Sequence, residues 1–309
     1  MAVEADARDP SSNLPREDEA EDEGSFFEAS LFVDTSYVLH SFSFNDIHVP
    51  LYCLAAATTD YDLTGQIVWP GATILAEYLT ARPDVVAGKT VIEVGAGTGL
   101  AGLMCAHLGS RAVTLTDHNS EVLQVVQRNA DHHTQLFAHS SGCEPQAAPS
   151  LECAELEWAS QKHLEAILAA HPTGFDIVIG ADICYQQCHV PPLFTCIKSL
   201  LSARQHAISA GSLPPSQPNT ISDPRPSLEP VLNAAQESFA SDGLQNQTSL
   251  PPSCFILAYV ERHLSTTRVV WEAARARGLH LEVIEGTERM APDGFHHARI
   301  YKATLASQC

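Results

Sequence analysis

Basic residues are scarce in this sequence: 17 Lys and Arg stand against 37 Asp and Glu, for a formal net charge of -20. A surface with that balance repels phosphate backbones, which argues against general nucleic-acid binding and suits a basic partner. The nine cysteines are odd in number, contain no C-x-x-C pair and mostly sit inside apolar runs. That usage excludes a disulfide framework and points to a reducing compartment. No stretch approaches the roughly 18 apolar residues of a membrane span. The amino-terminal residues are acidic, unlike a secretory signal or an Arg-rich transit peptide. The expectation is a soluble monomer of the cytoplasm, with the nucleus also open to it, that binds neither membrane nor nucleic acid.

What is present is enough for a core. The chain has 309 residues, 45% of them hydrophobic, which accommodates one large domain or two ordinary ones. Residues 1–24 carry the run Glu17-Asp18-Glu19-Ala20-Glu21-Asp22-Glu23 and almost nothing apolar, so they read as a disordered acidic arm. Residues 203–252 hold eight prolines, many Ser, Asn and Gln and no lysine, and read as an extended surface insertion.

Between these segments the periodicity is regular. Apolar residues alternate from 26 to 54 (Leu31, Val33; Phe42, Phe44; Ile47, Val49; Leu51), predicting short strands bounded by Asn45-Asp46 and Pro50, a hairpin ahead of the main sheet. A helix follows Trp69, with Pro70 at its first position and Arg82-Pro83 as its stop. Strands are predicted over 90–94, 112–116, 151–156, 175–183, 254–260, 279–284 and 297–305. Helices are predicted over 98–109, 120–129, 161–170 and 266–277, and a polar loop over 131–150. This alternation implies an α/β fold with a doubly wound, mostly parallel sheet of seven strands.

One stretch stands out: Val91-Ile92-Glu93-Val94-Gly95-Ala96-Gly97-Thr98-Gly99, a buried strand that runs into a glycine turn and then a helix. In an open α/β sheet ligands lie beyond the carboxyl ends of the strands. Reading only those ends gathers Glu93 with its glycines, Asp117, Trp158, Asp182, Tyr185 and the segment Tyr259 to His263. Asp117 lies about 20 residues past the loop, where a carboxylate can grip ribose hydroxyls; the competing role is a helix N-cap. Trp158 can stack on a base or plug the sheet edge. A dinucleotide fingerprint needs glycine at position 100, where Leu100 stands, which argues against a nicotinamide oxidoreductase.

Cys184, Cys188 and His189 lack a spacing typical of zinc sites and read as free thiols and a surface histidine. His132, His133, His139 and Cys143 read as surface groups of a polar loop. No metal is expected.

The acidic-x-Gly-x-Gly-x-Gly order resembles motif I of the class I, seven-strand, Rossmann-like S-adenosylmethionine-dependent methyltransferases. The wider set of Val68-Trp69-Pro70, Thr116-Asp117, Leu156-Glu157-Trp158 and Ala181-Asp182-Ile183-Cys184-Tyr185 is similar to methyltransferase family 16, which holds many protein-lysine methyltransferases. The last segment matches that family's acidic-x-x-aromatic motif. The resemblance covers about 30–200 and 254–305, and implies a single methyltransferase domain over 25–309. It implies S-adenosylmethionine as cofactor, held by Trp69, Glu93, Gly95, Ala96, Gly97, Asp117, Trp158 and Ala181. Asp182 and Tyr185 would be the catalytic pair, Asp182 receiving the incoming lysine cation and Tyr185 walling the channel. The partner implied is a lysine-bearing, basic protein segment. Arginine, histidine or a small molecule as acceptor stays open on this reading, as does a non-catalytic adapter that keeps the fold. Methylation of a base amine is disfavoured by the absence of an Asn/Asp-Pro-Pro-aromatic turn.

Overall fold

A computed structural model of the chain describes residues 37–54, 61–140, 148–211, 252–292, 294 and 296–306. The acidic arm, Leu31, Val33, Cys143 and residues 212–251 of the insertion lie outside the described residues.

The chain opens with β1 (Val38–Phe44) and β2 (Ile47–Cys53), an antiparallel hairpin in which Phe44 faces Ile47. Asn45 turns the corner at φ 52°, a region asparagine tolerates. Pro50, read as a strand boundary, instead pairs with Ser41 inside β2. The sheet has two strands, so a proline on an edge breaks no second ladder.

After a 3-10 turn over Tyr61–Gln66 comes α1 (Pro70–Ala81). Then follow β3 (Thr90–Val94), α2 (Leu100–His107), β4 (Ala112–Asp117), α3 (Ser120–Ser140), β5 (Ser150–Glu155), α4 (Gln161–Ala170), β6 (Ile177–Ala181) and α5 (Val190–Ser209). The chain closes with β7 (Cys254–Glu261), α6 (Leu264–Ala276), β8 (Leu279–Val283), the two-residue β9 (Arg289–Met290) and β10 (His297–Leu305). The main sheet runs β5-β4-β3-β6-β7-β10-β8, with β9 pairing β10. Strands β3 to β7 pair in parallel, and β10 enters antiparallel between β7 and β8.

The apolar strands are continuous because both faces are covered. Val91, Ile177, Ile179, Ile256 and Ala258 face one core with Leu75 and Leu79 of α1, Leu100 and Leu103 of α2 and Val126 of α3. Their neighbours Ile92, Val178, Phe255 and Leu257 face the other, with Leu164 of α4, Phe194 of α5 and Val270 of α6. The chain leaves β3 for β4 on one side and returns to β6 on the other, so the strand order reverses at β3 and opens a crevice at its carboxyl end.

Two expected boundaries move. Helix α3 continues past Asn129 to Ser140, through much of the expected polar loop, because the hairpin covers its flank. Asn129 is fully buried, accepts the Tyr52 amide and donates to the Tyr52 and Thr98 carbonyls. His133, expected at the surface, is also fully buried: its Nε2 meets the Pro50 carbonyl at 2.9 Å and its Nδ1 meets His107 Nε2 at 2.9 Å. Helix α5 runs to Ser209, so the first residues of the 203–252 segment belong to it, with Arg204 buried and paired to Asp176.

Candidate active site

A cavity of about 410 Å³ opens at the switch point. Its lining includes Trp69, Glu93, Gly95, Ala96, Gly97, Asp117, Trp158, Ala181, Asp182 and Tyr185, so every site residue expected from the sequence meets there. Residues from the ends of β3, β4, β6 and β7 and from the start of α1 close round it. A smaller recess of about 140 Å³ shares Gly95, His118, Trp158 and Tyr185 with it.

The glycine loop forms one side. Gly97 sits at φ 56°, and a Cβ there would lie 2.9 Å from the Gly65 carbonyl oxygen, so only glycine lets the 3-10 turn close over the loop. The Ala96 amide donates to the Thr116 carbonyl and Gly97 donates to Asp117 Oδ2 at 3.1 Å. Asp117 Oδ1 accepts from the amides of His118 and Asn119. The helix cap of α3 is Asn119, whose Oδ1 accepts from Glu121 and Val122. Asp117 is therefore not spent on capping. A carboxylate has about four lone-pair sites, so with these three amide bonds in place, acceptor capacity on Oδ2 remains for a ligand hydroxyl.

Glu93, expected at the cofactor, lines the cavity and also binds the fold. Its Oε2 accepts the Gly102 amide of α2 at 2.8 Å, and the residue is 1% exposed. It borders the cavity floor but holds the first turn of α2 against the sheet. Burial, with Asp117 nearby, pushes its carboxyl up to about 8.

The other side of the cavity is assembled from distant segments. Trp69 caps α1 with extended backbone, and its indole N–H donates to the Thr64 carbonyl at 2.8 Å. Asp182 follows β6 at φ 59°, and its amide donates to the Ala258 carbonyl. That turn swings the carboxylate to the start of α1, where Gly71 N–H lies 3.4 Å from Oδ2 and the helix dipole favours an anion.

Asp182 is held from a second side by a cation of the chain itself. Arg262, the first residue past β7, places Nη1 2.5 Å from Oδ1 and Nη2 2.7 Å from Oδ2, a bidentate fork. The carboxylate expected to receive the lysine cation therefore already holds an internal guanidinium. The guanidinium also lies over the Trp69 ring, 5.6 Å from its centroid. Tyr185, 46% exposed, lines the cavity where it meets solvent. Gln187 was not singled out by the sequence. Its amide donates to Ser265 Oγ at 2.9 Å, tying the β6–α5 loop to the start of α6 beside the mouth. No pattern in a single sequence marks such a tie.

The sequence that builds most of this site has counterparts in known proteins. A family model described as lysine methyltransferase matches residues 54–212, from the end of the hairpin to the end of α5. The chain belongs to the lysine methyltransferase family. Its curated relatives include the protein N-terminal and lysine N-methyltransferase efm7 of Emericella nidulans, 28% identical over 51% of this chain and 61% of that one. The calmodulin-lysine N-methyltransferase of Arabidopsis thaliana is 30% identical over 47% of this chain and 43% of that one. The human protein-lysine N-methyltransferase EEF2KMT is 29% identical over 49% and 45% respectively. The chain thus spans about half the length of the relatives it matches. The matched region contains the glycine loop, Asp117, Trp158, Asp182 and Tyr185, whereas Arg262 lies beyond it.

The residues present fit S-adenosylmethionine. The loop is a cradle that a Cβ would fill, since one at Gly95 would sit 2.8 Å from Ile183 Cγ2 and 3.2 Å from Trp158 Cζ2. Asp117 keeps acceptor capacity toward the cavity, and Trp158 offers a half-buried ring beside it. Among the described residues no helix is long and apolar enough to cross a membrane.

Proposed function

We propose that this chain transfers a methyl group from S-adenosylmethionine to the side-chain nitrogen of a lysine in a protein. The observation that carries the reading is the convergence of Asp117 and Asp182, from the ends of two different strands, on one cavity beside the glycine loop. Family membership supports the reaction class.

Gly95, Ala96 and Gly97 give the cofactor a backbone edge to approach, Asp117 accepts from its ribose, and Trp158 packs against its base. Trp69 and Ala181 close the far side. When bound, S-adenosylmethionine supplies a methyl on a sulfonium sulfur; the acceptor nitrogen forms the new C–N bond as the S–C bond breaks, its electron pair leaving with the sulfur. The chain's part is to orient the amine and exclude water. Tyr185 walls the entrance through which the lysine stem passes, and Asp182 fixes the entrance by holding Arg262 and the start of α1. The proton of the lysine ammonium goes to water at the mouth before transfer, because only the neutral amine has a lone pair.

The formal charge of -20 favours a basic segment around the target lysine. A methyltransferase domain over 25–309 that works as a monomer in the cytoplasm or nucleus completes the proposal. The free thiols of Cys53, Cys105, Cys153, Cys184, Cys188, Cys196 and Cys254 support a reducing compartment.

The test is incubation of the full chain with methyl-labelled S-adenosylmethionine and a lysate of its own cells, followed by mass spectrometry of labelled bands. Methyl-lysine in a discrete protein is expected. Label confined to small molecules or nucleic acid would overturn the reading, and titration with S-adenosylhomocysteine and NAD separates it from an oxidoreductase.

A further inference from the structure

Arg262 lies 80 positions from Asp182 in sequence, yet its guanidinium closes on both oxygens of that carboxylate at the edge of the cavity. The pair is substantially buried: the Asp182 side chain is 3% exposed and that of Arg262 27%. A lysine amine titrates near 10.4 when free, so it arrives protonated and must shed a proton before it can form a C–N bond. A lone buried carboxylate beside it would hold the ammonium form and oppose that loss. With the guanidinium in place the pair carries no net charge, and a guanidinium offers donors but no acceptor to an ammonium ion.

The other titratable groups of the β6–α5 loop and of β7 add no free anion beside Asp182. From the β6–α5 loop, burial raises the Cys184 thiol well above its ordinary range, so it stays neutral, and Tyr185 is a phenol. From β7, the Tyr259 hydroxyl meets Thr267 Oγ1 and is raised by burial, while Glu261 is held by Arg299 and Tyr301. His263 follows Arg262 along the chain, and on the β4 side His118 lies against Asp117.

We infer that Arg262 is a positioning and selectivity residue: by holding Asp182 in a closed, charge-neutral pair at the acceptor entrance, it makes the cavity take the neutral lysine amine in preference to the ammonium ion. This rests on the reading of the site as lysine-methylating. It also explains how an acidic family motif coexists with a reaction that needs an uncharged nitrogen. The carboxylate is a fixed post for the guanidinium and is not the receptor for the substrate's charge.

The experiment uses the full chain loaded with S-adenosylhomocysteine and n-butylamine as the probe, at pH 7.5, where the probe is almost wholly ammonium. The wild type should bind it weakly. Arg262→Met and Arg262→Gln, which leave the Asp182 charge uncompensated, should bind it about tenfold or more tightly, and Arg262→Lys should behave as the wild type. Unchanged S-adenosylhomocysteine affinity shows that each variant is folded at the site, and the glutamine variant keeps a hydrogen bond if the methionine variant does not fold. On the labelled protein from the lysate, Arg262→Gln should lower kcat about tenfold at pH 7.5 with KM unchanged or reduced, and move the pH profile upward by about one unit. Arg262→Lys should restore both. Equal n-butylammonium binding by wild type and both neutral variants, or an unmoved pH profile, would overturn the assignment of Arg262. Absence of any methyl-lysine from the wild type would instead overturn the lysine reading, and the probe comparison tells the two failures apart.

Discussion

The two sides of the cavity are built by different rules. The side proposed for the cofactor comes from one strand–turn–helix unit and the end of the adjoining strand, and its polar groups are held by the nearby backbone: Gly97 and His118 on Asp117, Gly102 on Glu93. The side proposed for the acceptor draws on the start of α1, the end of β6 and the end of β7, and its carboxylate is held by a side chain from far along the chain. One side is local and fixed by glycines. The other is a tertiary assembly whose centre is a single ion pair.

If that division is physical, the two sides can be broken separately. The largest effect is expected for Asp182→Asn. It removes the negative charge that faces the Arg262 guanidinium at the entrance, so the positive charge there repels a cationic substrate and the entrance can shift; a misplacement of that kind costs about a hundredfold in methyl transfer. S-adenosylhomocysteine affinity, read by calorimetry, should stay within several-fold. A parallel collapse of cofactor affinity would show that the sides are one unit.

The converse change is Asp117→Ala. Loss of a charge-assisted hydrogen bond to ribose, together with release of the Gly97 amide, should weaken S-adenosylhomocysteine by about 1–3 kcal/mol. Methyl transfer at saturating cofactor should fall far less than in Asp182→Asn. An affinity equal to wild type would remove Asp117 from the cofactor site.

This division also explains what could be read from the sequence. The glycine loop was legible because its function needs small residues at fixed spacing directly after a buried strand. Asp117 was legible because a parallel sheet returns the chain to the same edge one strand later. The same topology brings Asp182 and Tyr185 to the cavity, but the ion pair of Asp182 is not visible in it. Its partner comes from the other side of the 203–252 segment, and a single sequence carries no signal that pairs an aspartate after one strand with an arginine after the next. Helix α3 was cut short at Asn129 because Asn129, His132 and His133 look polar in one dimension. The hairpin supplies the carbonyls and amides that satisfy Asn129 and His133, so polarity there marks contact and not solvent.

The smallest expected effect tests whether Glu93 belongs to the scaffold or to the ligand. Burial raises its carboxyl from 4.5 to about 8, so between those values the folded chain holds a proton that the unfolded chain releases. The stability this group contributes is fully present below the unfolded value and is lost as pH rises through the folded one. Above pH 8 the side chain must carry a buried negative charge on the one hydrogen bond, from Gly102, that it has among the described residues, with Asp117 nearby. Among the described residues no cationic side chain is paired with Glu93, whereas Arg262 closes on Asp182 in the same cavity. Glu93→Gln cannot ionise and keeps a carbonyl for Gly102. At pH 9 it should therefore exceed the wild type in stability by on the order of 2 kcal/mol in denaturant melts, a gap that closes below about pH 5. If Glu93 gripped the ligand directly, the same variant would lose S-adenosylhomocysteine affinity at neutral pH and gain no stability at high pH.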